Sequence, residues 1–184
     1  MKTAVLFGAC QPFGFELCSQ LLEKGYDVCA IDHSEWITDE QEENWLLIGR
    51  NANLRYMELE NSEDSIQQIL NGEHCLYIIP TVDYLKRSNI NARNQLIFQL
   101  ERFSERTKTK ESLFVIHPPV TERKQTSFAR KLNGLFEALK KIHNVMEYCP
   151  SDAYASGFHE NILSDAAKEV VTLMEKQKLL ENNN

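Results

Sequence analysis

The chain has 184 residues, 42% of them hydrophobic, and a formal net charge of −7 from 20 basic and 27 acidic side chains. That length suits a single domain, 1–184, with a sizeable core. An acidic chain without a basic stripe makes nucleic acid a poor partner, and no apolar run approaches the ~20 residues of a membrane span.

The N-terminus runs straight into a strand pattern, with no basic stretch ahead of an apolar one, so no signal peptide is expected. Lys2 to Asp32 reads as strand, glycine turn, helix, strand. Thr3 to Phe7 is an unbroken apolar run, as in a strand buried on both faces. Gly8 ends it. Phe13, Leu17, Leu21 and Leu22 follow at helical spacing, and Gly25 stops the helix. Val28 to Ile31 make the second strand, closed by Asp32. A strand–helix–strand unit with an acid at the end of its second strand is a dinucleotide-binding arrangement.

An acidic patch at Asp39, Glu40, Glu42 and Glu43 then leads into Trp45 to Ile48, a short helix or lid-like loop. Leu54 to Leu59 alternates as a third strand. Ser62 is an N-cap candidate for a helix with Ile66, Ile69 and Leu70, ended at Asn71-Gly72. Cys75 to Ile79 is a fourth strand, closed by Pro80. Tyr84 to Phe103 reads as one long helix with Ile90, Leu96, Ile97 and Leu100 on a common face. Leu113 to Ile116 is strand five, followed by His117-Pro118-Pro119. Phe128 to Lys141 is a helix, Val145 to Cys149 is strand six, and a last helix covers about 161–181. Strands alternating with helices predict an α/β fold, a doubly wound parallel sheet of the NAD(P)-binding Rossmann type with six or so strands. A ligand belongs at the carboxyl ends of those strands.

The five cysteines are odd in number and none is spaced as CxxC, which predicts buried reduced thiols and a cytoplasmic protein. Cys10 stands apart: it lies in the glycine turn near a helix N-terminus, where a thiolate is favoured. The histidines are scattered, so no metal is expected.

The order of elements resembles the extended short-chain dehydrogenase/reductase family, the NAD-dependent epimerases and dehydratases. Four stretches carry the resemblance: GACQPFG, Gly8 to Gly14, for the GxxGxxG turn; Asp32, for the acid that holds the adenosine ribose; FARKLNGLFEAL, Phe128 to Leu139, for the helix with the lysine of the YxxxK pair; and CPSDAYASGF, Cys149 to Phe158, for RPxxVYGPG. The resemblance implies cofactor contacts from Gly8, Gln11, Phe13, Gly14 and Asp32. It implies NAD in preference to NADP, because the Asp32 charge repels a 2′-phosphate. It also implies a homodimer through the helices at 84–103 and 128–141.

The departures are chemical. Gln11 replaces the middle glycine of the turn and crowds the pyrophosphate. Pro12 removes one N–H from the helix start. Lys131 holds the lysine position, but Ser127 stands where the catalytic tyrosine belongs, and an aliphatic hydroxyl is too weak an acid to replace a phenol. The family's serine or threonine falls at His117-Pro118-Pro119, with Thr121 the nearest hydroxyl. The C-terminal part that grips a sugar nucleotide is mostly missing. A degenerate, shortened member is expected, without the usual catalysis, acting as a dinucleotide-binding sensor or interaction module. The alternatives are an active oxidoreductase or epimerase in which Lys131 serves the ribose and His117 or Tyr154 moves the proton, and a structural partner protein that binds no nucleotide.

Overall fold

The computed structural model describes residues 2–59, 75–86, 89–105, 110–118, 126–149 and 160–181. Six strands form one all-parallel sheet in the order β3-β2-β1-β4-β5-β6. They are β1 (Lys2–Phe7), β2 (Tyr26–Asp32), β3 (Leu54–Glu58), β4 (Leu76–Pro80), β5 (Ser112–Ile116) and β6 (Asn144–Tyr148). This is the doubly wound sheet the sequence predicts. Its switch point lies where β1 is flanked by β2 on one side and β4 on the other.

The helices are α1 (Pro12–Glu23), α2 (Asp39–Ile48), α3 (Thr81–Lys86), α4 (Ile90–Glu105), α5 (Ser127–Leu139) and α6 (Glu160–Glu181). Side chains alternate across each strand, and two cores result. On one face Ala4, Leu6, Val28 and Ile78 meet Leu17 and Leu21 of α1 and Leu163, Val170 and Met174 of α6. On the other Val5, Phe7, Tyr77 and Val115 meet Leu96 and Leu100 of α4 and Leu132 and Phe136 of α5. A Lys2–Glu175 ion pair at 2.9 Å fastens the start of β1 to α6.

The long helix expected over Tyr84–Phe103 is instead two, α3 and α4. The Asn89 side chain accepts the Ala92 N–H at 2.9 Å, a cap that starts α4 afresh. Leu96, Ile97 and Leu100 are buried as expected, but Ile90, at the head of α4, is 66% exposed. The stretch around Trp45 is helical. α2 opens with a capping box between Thr38 and Gln41, and Asp39, Glu40 and Glu42 complement its N-terminal dipole. The helix expected after Ser62 lies outside the described residues.

Candidate functional site: the crevice at the carboxyl ends of β1, β2 and β4

β1 ends at Gly8, whose φ of +66° suits a residue without a Cβ. The Gly8 N–H donates to the Ile31 carbonyl at 2.8 Å, so the turn stays fastened to β2. α1 begins at Pro12 and crosses directly over the turn. A Cβ on Gly14 would stand 1.9 Å from the Gly8 carbonyl oxygen, so only glycine lets helix and strand approach this closely. That matches the packing role of the last glycine in the fingerprint.

Asp32, at the end of β2, is wholly buried. Its Oδ2 accepts the Cys10 N–H at 2.7 Å and its Oδ1 the His33 N–H at 2.9 Å. Burial pushes its carboxyl up to about 7 against the pull of those hydrogen bonds. Cys10 therefore sits beside an acid in a buried turn, and burial together with Asp32 raises its thiol well above the ordinary range. This reverses the expectation of a favoured thiolate, first because the thiol is buried and then because its neighbour is an acid.

Gln11 is also fully buried. Its side-chain amide donates to the Trp36 carbonyl at 3.2 Å and accepts from Gln41 at 3.2 Å. It thus bridges the turn to α2 and to the 3₁₀ turn at Ser34–Trp36. Pro12 occupies the first helical position, where no N–H is needed. The Gly14 N–H, which faces out of the helix start, donates to Oδ2 of Asp83 at 3.1 Å. Asp83 belongs to α3, just past β4, and is buried. A protein carboxylate therefore occupies the helix N-terminus where a phosphate is bound in dinucleotide sites.

Two aromatic rings complete the filling. Trp36 and Tyr84 pack with ring centroids 4.5 Å apart and their planes tilted by 51°. A Cβ on Gly8 would lie 3.2 Å from the Tyr84 ring and 3.5 Å from that of Trp36. The Trp36 indole N–H and the Tyr84 hydroxyl are buried without a hydrogen-bond partner among the described residues. Burial, with Asp32 and Asp83 nearby, raises the Tyr84 phenol well above its ordinary range. Phe13, expected at the cofactor, is buried in the α1 core. Beside the turn a cavity of about 960 Å³ opens between α1, α2 and α6, with Cys10, Glu16, Asp39 and Glu40 on its walls.

The other sequence candidates lie apart from the turn. His117 follows β5 and its Nε2 is 3.2 Å from Oε1 of Glu147 on β6. Lys131 projects from α5 to Glu101 of α4 at 3.0 Å, with both side chains about half exposed. Ser127 is the first residue of α5, capped by Thr126, which accepts the Ala129 N–H. Tyr154 and Thr121 lie outside the described residues. Asp83, Trp36 and Tyr84 carry much of the crevice and were not singled out by the sequence. The available signal was an acid and an aromatic just past strand four, at the switch point.

No family model and no curated protein sequence matches the chain. Solved structures do. The Lmo0794 protein from Listeria monocytogenes superposes with a TM-score of 0.61 at 13% identity, covering 95% of this chain and 92% of that one. An alcohol dehydrogenase from Thermococcus sibiricus, complexed with 5-hydroxy-NADP, gives 0.59 at 17% identity, with 95% and 91% covered. A protein described as a short chain dehydrogenase/reductase family oxidoreductase from Aeromonas hydrophila gives 0.57 at 14% identity, with 94% and 91% covered. The chain thus has the fold of short-chain dehydrogenases/reductases; at these identities the likeness is one of fold.

Proposed function

We propose that this chain is a non-catalytic Rossmann-type interaction module that keeps the dinucleotide-binding fold and fills the crevice with its own side chains. The observation that carries the reading is the buried Asp83 carboxylate on the Gly14 N–H. A bound pyrophosphate would have to displace Asp83 or lie against it. Asp32 supports the same reading, since both its oxygens already serve backbone N–H groups. The chemistry of the fold is unsupported for a similar reason: Ser127 stands in the tyrosine position and Lys131 is engaged with Glu101. The narrower tie to epimerases and dehydratases rests on the sequence motifs alone.

The partner surface we propose is a second copy of the chain, through α4 and α5. These helices pack together through Lys131–Glu101 and through Arg93 over the Phe128 ring at 5.2 Å. They leave Ile90 and Phe98 exposed.

A second reading is favoured by the Trp36 N–H and Tyr84 hydroxyl that the closed crevice leaves unsatisfied, and by a neighbour of the same fold that carries an NADP derivative. In it a nicotinamide dinucleotide displaces the ring pair and Asp83, and the module is a sensor. Calorimetric titration with NAD, NADH and NADP decides. The first reading expects no heat from the wild type with any of the three. Micromolar binding would overturn it in favour of the sensor. Weakening by Asp32→Ala with NAD alone would then establish the ribose contact and the preference for NAD over NADP.

A further inference from the structure

A second cluster lies on the α5 side of the sheet, where β5 and β6 end. The His117 N–H donates to the Tyr148 carbonyl at 2.8 Å and extends the ladder beyond Ile116. Ile116 stands opposite Tyr148 in the parallel register, so the next pair along is His117 and Cys149. Glu147, two residues before Cys149, shares its face. The Cys149 thiol donates to the Pro118 carbonyl at 3.3 Å, which holds the sulfur against the segment carrying His117. Glu147 is shared: Oε1 faces Nε2 of His117 at 3.2 Å and Oε2 faces Nζ of Lys140 at 2.9 Å. His117, Glu147 and Cys149 all line one cavity of about 290 Å³.

A carboxylate only accepts hydrogen bonds, so Nε2 of His117 carries the proton and Nδ1 is the basic atom. A thiol, an imidazole and an orienting carboxylate together are the arrangement that activates a sulfur nucleophile. Among the described residues the charged groups around His117 are Glu147 of β6, Glu137 of α5 and Lys140, which follows α5 and is tied to both carboxylates. Burial works to raise the Glu147 carboxyl, but hydrogen bonds from Lys140 and His117 outweigh it and keep it below its ordinary value. It is thus ionised and able to support an imidazolium. The other four cysteines are buried. Burial pushes Cys18 up to about 12 and Cys29 up to about 11.

We propose that Cys149, His117 and Glu147 form a reactive-thiol site that takes up small neutral or cationic disulfides as a mixed disulfide. The Cys149 proton passes to His117, which Glu147 holds. The thiolate attacks one sulfur of the disulfide R–S–S–R, its S–S bond breaks, and Cys149–S–S–R forms. The leaving R–S⁻ takes the proton back from His117. The disulfide is the oxidant: the Cys149 sulfur is oxidised and one R–S group leaves reduced. The cavity of about 290 Å³ accommodates a small R group, and Glu137 and Glu147 on its wall disfavour anionic R groups. The site stands independently of the nucleotide crevice.

The test is incubation of the native protein with cystamine, acid quenching, and intact-mass and peptide-mass analysis across pH. One adduct is expected, at Cys149, forming at pH 7 at least about tenfold faster than on an unstructured cysteine peptide. His117→Gln is expected to bring the rate down to that of the peptide. First labelling of another cysteine, a wild-type rate no faster than the peptide, or an unchanged rate in His117→Gln would each overturn the proposal. Should His117→Gln unfold, the wild-type rate against the peptide decides by itself.

Discussion

Asp32 should make this protein less stable as the pH rises toward neutrality, and Asp32→Asn should remove that dependence. Its carboxyl stands at about 7 in the folded chain against an ordinary 3.8. Folded protein therefore holds a proton that the unfolded chain has lost between those values, and stability falls with rising pH in that window. The contribution is fully present below about pH 4, is lost progressively up to about pH 7, and is flat above. At 1.36 kcal/mol per pH unit the change amounts to about 4 kcal/mol. Other groups titrate as well: Glu147, held below its ordinary value, contributes stability above about 4.5 that disappears as pH falls. The quantity to follow is thus the difference between wild type and Asp32→Asn, in which distant groups cancel. Asparagine cannot accept both the Cys10 and His33 N–H groups, which adds a pH-independent cost of about 1–3 kcal/mol. Urea unfolding followed by tryptophan fluorescence at half-unit steps from pH 4.5 to 8 would measure it. Asp32→Asn should gain on the wild type by several kcal/mol across the series. A constant difference, or a wild type that gains on the variant as pH rises, would refute the reasoning. It would mean that the two N–H bonds outweigh burial and hold Asp32 ionised.

Gly14→Ala should lower stability by about 3 kcal/mol, since its Cβ would overlap the Gly8 carbonyl at 1.9 Å; thermal unfolding would show it. Asp83→Ala leaves the Gly14 N–H without its acceptor and should cost about 1–3 kcal/mol in urea unfolding. Asn89→Ala should cost about 1 kcal/mol by removing the α4 cap. Lys131→Met should change stability by less than about 0.5 kcal/mol, because its pairing with Glu101 is exposed; a larger loss would show a contact beyond that pair. Sedimentation at micromolar concentration should give a dimer, and a monomer would remove α4 and α5 as the self-association surface.

The strands were legible because a parallel sheet buries both faces, and Thr3–Phe7 or Cys75–Ile79 can be apolar for no other economical reason. The turn was legible from Gly8 and Gly14, whose roles are steric and local. The bonds Asp32 makes in the folded chain were not legible. An acid ending a second strand reads the same whether or not its oxygens meet the Cys10 and His33 amides. Asp83 escaped for a related reason: it reaches Gly14 across 69 residues of sequence, beyond any local pattern. The break between α3 and α4 escaped because the helical period of Leu96, Ile97 and Leu100 extends back through Ile90, and asparagine is a weak stop signal until it is seen to cap.

The packing of α6 on α1 has a consequence for biosynthesis. Leu17 and Leu21 emerge from the ribosome well before Leu163, Val170 and Met174, which cover them. At about 5–20 residues per second, the α1 face of the nascent sheet stays bare for on the order of ten seconds. During that interval the growing chain offers an apolar stripe to chaperones, or to other nascent chains, and only the arrival of α6 withdraws the offer.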